Sequence, residues 1–126
     1  MDRRTFLSGL ALTLCAGCAT HSNEPAVGSK NFTEQLILGE ILKQSLEKAC
    51  HTEVGGRFYL AGTYICQQAI LAGRIDTYVE YTGTALAAIL KQKAAGDPAK
   101  VYDFVRAQYK QRFNLEVMPP LGFNNS

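Results

Sequence analysis

Residues 75–90 read "IDTYVEYTGTALAAIL". Ile75 to Tyr81 has the β-branched and aromatic content of a short strand, and Thr82-Gly83-Thr84 turns it into an apolar helix that runs on to residue 92. The same step from strand to helix occurs twice upstream. "PAVGS" (25–29) is a small-residue strand before "NFTEQLILGEILKQSLEKAC" (31–50), whose apolar residues at 37, 38, 41, 42 and 46 form one helix face. "TEVGGRFYL" (52–60) is strand-like and bent at Gly55-Gly56, and it precedes a helix over 62–73 closed by Gly73. Alternation of this kind predicts an α/β fold with a largely parallel sheet flanked by helices.

Downstream, Asp97 and Pro98 mark the start of a helix over 97–113, as N-cap and first helical residue. "LEVMPPLGF" (115–123) reads as a last strand. Asn31 followed three residues later by Glu34 has the form of a capping box for the first helix. The 126 residues, 13.8 kDa, hold one domain at most.

In parallel sheets of this kind ligands bind beyond the carboxyl ends of the strands. Three predicted ends carry unusual residues: "GSKNF" (28–32), "EYTGT" (80–84) and "GFNNS" (122–126). At the first, Ser29, Lys30, Asn31 and the unpaired N–H groups of a helix start make a seat for an anion such as a carboxylate. The competing reading is a capped helix beside a solvated lysine. The spacing is not that of a phosphate loop.

At the second, period two places Tyr78 and Glu80 on one face and Val79 and Tyr81 on the other. A tyrosine face attracts a quaternary ammonium, with roughly 0.5–2 kcal/mol per ring. Periodicity alone favours these rings as core aromatics. Glu80 has a general base's chemistry, but no second acid or histidine is placed to work with it. At the third end, Asn124 and Asn125 offer amides or form an ordinary turn.

Taken together, "VGSKNFTEQLILGEIL", "GTYICQQAILAGRIDTYVEYTGTALAAIL" and "PLGFNN" resemble the substrate-binding proteins of osmoprotectant ABC importers, which take up glycine betaine, choline, carnitine or proline betaine. The resemblance covers nearly all of residues 26–125. It implies a type II periplasmic-binding-protein-like fold whose two lobes close on a quaternary ammonium held in a box of tyrosines. Carried over by position, Tyr81 is similar to a box tyrosine, Thr84 to a polar contact beside it and Lys30 to a contact for the ligand carboxylate. Asn125 falls at the crossing between lobes, with Ser29, Asn31 and Asn124 as pocket neighbours. The expected partners are the small molecule and the membrane permease, with no cofactor. In the family the chain continues past "GFNN" into a second lobe, so residues 26–126 are expected to be the N-terminal lobe alone, with most of the aromatic box missing. A truncated fragment or interaction module derived from such a protein is the alternative.

The first 17 residues have the parts of an export signal: Arg3 and Arg4, an apolar stretch from Phe6 to Leu14, and a small-residue end. That stretch is far short of the roughly 20 residues that span a bilayer. "Ala16-Gly17-Cys18" resembles a bacterial lipobox, which implies lipidation at Cys18, residues 18–25 as a tether, and a location in the periplasm or on the outer face of the membrane. Cys15 stands where that pattern usually has leucine, and cleavage without lipidation is the alternative. "Arg3-Arg4-Thr5-Phe6-Leu7" also resembles a twin-arginine signal, with Asp2 unusual there.

Without residues 1–17 the formal charge is +1, and no basic run interleaved with aromatics points to nucleic acid. Cys50 and Cys66 are the two cysteines of the body, and their spacing does not decide between a disulfide and two buried thiols. Cys50, His51 and Cys66 lack the spacing of a metal site. No nucleophile–base or acid–base pair can be assembled for an enzyme.

Overall fold

A computed structural model describes residues 24–93 and 96–123. The chain runs β1 (Ala26–Gly28), α1 (Thr33–Cys50), β2 (Gly55–Arg57), α2 (Thr63–Leu71), β3 (Thr77–Tyr78), a single turn α3 (Thr82–Thr84) that continues as a π-helical turn (Ala85–Ile89), and α4 (Pro98–Phe113). The three strands form one parallel sheet in the order β2-β1-β3, with Val27 opposite both Gly56 and Thr77. The expected α/β architecture is therefore present in small form.

The central strand is built to be enclosed. Val27 is fully buried, and Ile75 and Val54 are buried with it. Two glycines set the close approaches. A Cβ at Gly28 would meet Ile75 Cδ1 at 2.6 Å, and one at Gly39 would meet Phe58 Cε1 at 3.0 Å and Ser29 Cβ at 3.2 Å. Gly39 thus lets α1 lie on the end of β1. A second cluster, Ala85, Leu86, Leu90, Val105 and Tyr109, joins the π-helical turn to α4.

The ends of α4 agree with expectation. Asp97 accepts a 3.0 Å bond from Ala99 N with Pro98 in the first turn, and Asn114 closes the helix in the left-handed conformation. Gly73 follows α2 at φ +68°.

Several expectations are corrected. Helix α1 begins at Thr33, and Phe32 is its N-cap with no side-chain bond, so Asn31 and Glu34 form no capping box. The reason lies in the sheet: Ser29 N donates to Arg57 O, Leu60 N to Ser29 O and Asn31 N to Ala61 O, which keeps the backbone extended through Asn31. The apolar face read on α1 is only partly covered, with Leu38, Leu42 and Leu46 half-buried. Gln35 and Gly39 are buried, whereas Ile37 and Ile41 are exposed.

Residues 115–123 form no strand. Leu115 and Val117 pack on the α4 cluster, the Tyr102 hydroxyl donates to Met118 O at 3.3 Å, and Glu116 pairs with Arg106. Side-chain contacts with α4 hold this arm, and no sheet ladder does. The strands themselves are shorter than read, because only residues opposite β1 find ladder partners.

Candidate ligand-binding site

Lys30 follows the end of β1 by two residues and Tyr81 follows β3 by three, so adjacent parallel strands deliver both to one end of the sheet. Lys30 is only 3% exposed. A buried ammonium needs a counter-charge, and Glu80 supplies it: Lys30 Nζ donates to Glu80 Oε1. The same oxygen accepts from Tyr81 N at 2.8 Å. Lys30 Nζ also stands 5.0 Å from the centroid of the Tyr81 ring, within cation–π range. The Tyr81 hydroxyl donates to Glu34 Oε1, and Phe32 stacks on the ring with centroids 6.3 Å apart. Two carboxylates around one ammonium leave the cluster with a formal charge of −1.

A largely buried polar pair adjoins Glu80. The Tyr78 hydroxyl donates to Gln67 Oε1 at 3.3 Å. Burial first, and then the negative charge of Glu80, push the phenols of Tyr78 and Tyr109 well above the usual tyrosine range. From Tyr81 to Thr84 the chain forms one wall of a groove of about 900 Å³, whose other walls include Leu38, Ile41, Met118 and Phe123.

The structure brings Lys30 and Tyr81 together, with Thr84 on the adjoining groove wall. Ser29 is buried and acts within the backbone: its Oγ accepts from Tyr59 N at 3.1 Å and donates to Lys30 O at 3.2 Å. Asn31 is exposed and contributes its N–H to Ala61 O. Asn124, Asn125 and Cys18 lie outside the described residues. The reading of Lys30 as a solvated side chain is excluded by its burial.

Sequence reasoning missed the roles of Glu80 and Glu34. The available signal was charge: a lysine and a glutamate at the ends of two neighbouring strands have to find each other. Cys50 and Cys66 are free thiols, with Cys50 exposed and Cys66 buried, so they are neither bridged nor both buried. Among the described residues there is no group of three metal-ligating side chains, and no helix is long and apolar enough to cross a membrane.

A parallel sheet with helices packed on it, and a cation-and-tyrosine cluster at the carboxyl ends of its strands, define a lobe of the type II periplasmic-binding-protein class. The chain belongs to the family described as the substrate binding domain of ABC-type glycine betaine transport systems, whose family model matches residues 26–126. The ergothioneine transport permease/ergothioneine binding protein EgtU of Helicobacter pylori (strain G27) is 37% identical over 123 residues, covering 96% of this chain and 22% of that protein. The carnitine transport binding protein OpuCC of Listeria monocytogenes is 31% identical over 122 residues, covering 96% of this chain and 39% of that protein. The solved structure of apo YehZ from Escherichia coli superposes with a TM-score of 0.65 at 27% identity, covering 73% of this chain and 33% of that one. The chain therefore spans well under half the length of these relatives. Proteins of this family are extracytoplasmic small-molecule binders that work with permease subunits.

Proposed function

We propose that this chain contributes the first lobe of an extracytoplasmic receptor that delivers a quaternary-ammonium osmolyte, such as glycine betaine or choline, to an ABC permease without catalysis. One observation carries the reading: a cation already rests against the Tyr81 ring, inside a cluster of net negative charge. A quaternary ammonium has no N–H to donate, so an aromatic face and surrounding negative charge are what can hold it. In this reading Tyr81 faces the ligand cation and Thr84 offers a hydroxyl beside it. Lys30 exchanges Glu80 for the carboxylate of a zwitterionic ligand. Asn125 and Asn124 add amides at the crossing to a second lobe. Ser29 and Asn31 are neighbours that shape the loop, and Cys18 carries the lipid that keeps the receptor at the membrane.

Titration calorimetry on the full polypeptide with glycine betaine, choline and carnitine tests the ligand class. Saturable binding of one of them, weakened at least tenfold by Y81A, supports it. Absence of binding for all three at millimolar concentration rejects it.

A second reading rests on apolar surface. Ile37, Ile41, Met118, Leu121 and Phe123 are all exposed, and such surface promotes association. Under this reading the chain is an interaction module that transports nothing. Light scattering that finds only monomer, with a cooperative melt, argues against it.

A further inference from the structure

Four non-glycine residues among those described have positive φ: His51, Tyr59, Lys91 and Asn114. His51 and Asn114 are helix C-caps, and Lys91 directly follows the C-cap Leu90. The left-handed conformation is an ordinary way to close a helix. Tyr59 has no such reason. It lies in the connection from β2 to α2, at φ +60°, a region that bulky side chains avoid.

The surroundings force this conformation. Ser29 Oγ, on a residue only 1% exposed, accepts from Tyr59 N. On either side Ser29 N donates to Arg57 O and Leu60 N to Ser29 O, so the loop is laced to β1 across the kink. Phe58 packs against Gly39 and Gly56, and Leu60 lies beside Gly28, both half-buried. The residue between them is 67% exposed. A strained backbone held by a buried hydroxyl thus presents a large aromatic ring to solvent. Strain of this kind tends to persist where it serves a site.

The topology says which site. In the order β2-β1-β3, Tyr59 follows β2, Lys30 follows β1 and Tyr81 follows β3. That order puts the loops carrying Tyr59 and Tyr81 on either side of the loop carrying Lys30, at the same end of the sheet. We infer that Tyr59 is a second ligand-contacting ring of this lobe, set against an ammonium-bearing small molecule on the far side of Lys30 from Tyr81. The inference rests on the ligand class proposed above and adds a residue to its site.

The test compares Y59G, Y59F and Y81A in the full polypeptide, titrated with glycine betaine, carnitine and ergothioneine, each melted in parallel. Glycine adopts positive φ freely, so Y59G is expected to melt no lower than the parent while its Kd for the bound probe rises at least fivefold. Y59F, which keeps the ring, is expected to recover the affinity to within threefold. Y59G binding within twofold of the parent, while Y81A weakens tenfold or more, overturns the inference and leaves the ligand class standing. A Y59F as weak as Y59G overturns a role for the ring face, and a Y59G that melts lower overturns the claim of strain. If no probe binds the parent, the ligand class fails and the inference fails with it.

Discussion

Lys30 and Glu80, fifty residues apart in the chain, form an ion pair whose side chains are 4% and 13% exposed. The pair joins the loop after β1 to the loop after β3, and through Tyr81 N it fixes the aromatic ring beside it. It is a structural tie in this state as well as a part of the candidate site.

Removing one partner strands a buried charge, which typically costs about 3–5 kcal/mol. E80A is therefore expected to lose about 3 kcal/mol in urea unfolding. The double replacement K30M/E80L, apolar and of similar volume, should recover most of that loss. A single E80A within 1 kcal/mol of the parent would show that Lys30 escapes to water.

The phenols of Tyr78 and Tyr109 are raised above the ordinary value of 10.0 by burial and by the charge of Glu80. A group whose folded pKa is raised binds its proton more tightly in the native state. Its contribution is complete below the unfolded value and is lost as pH rises past it. Melting temperature should hold level up to about pH 9 and fall above about pH 10. Y78F should flatten part of that fall.

Gly28 has no room for a methyl group, since Ile75 Cδ1 would lie 2.6 Å away. G28A is expected to cost about 1–3 kcal/mol through overpacking. The double variant G28A/I75V, which removes the offending Cδ1, should melt above G28A alone. Equal melting of the two would place the strain elsewhere.

The two body cysteines should differ in reactivity. Cys66 is fully buried, and desolvation raises its thiol pKa, whereas Cys50 is exposed. Iodoacetamide followed by peptide mapping should find Cys50 modified in the native protein and Cys66 modified only after denaturation. Equal labelling of both would contradict the burial of Cys66 within α2.

The helices and their order were legible because periodicity and caps are local signals. Asp97-Pro98 marks the start of α4 and Gly73 follows the end of α2, as the residues themselves require. The start of α1 was misread because Asn31 has good capping chemistry, while the backbone bonds from Ser29 to Arg57 and from Asn31 to Ala61 in the loop after β2 are long-range. The segment 115–123 has strand-like composition, yet contacts with Tyr102 and Arg106 on α4 decide its course. At the site, the placement of Lys30 and Tyr81 at neighbouring strand ends was readable from the alternation of elements. The burial of Lys30 was not, because it depends on Glu80 and on how closely Gly39 brings α1 to β1. The left-handed Tyr59 has no sequence signature at all, since nothing about tyrosine suggests that conformation.

The π-helical turn at Ala85–Ile89 has one further consequence. Leu90 N bonds to Ala85 O, five residues back, so the ring it closes holds one residue more than an α-helical turn. The helix that starts at Thr82 therefore carries spare length. Deleting the exposed Ala87 would let it relax to ordinary α-helix while Thr82–Thr84 stay at the groove and Leu90 stays in the core. The segment thus has room to lose one residue without moving what lies at either end.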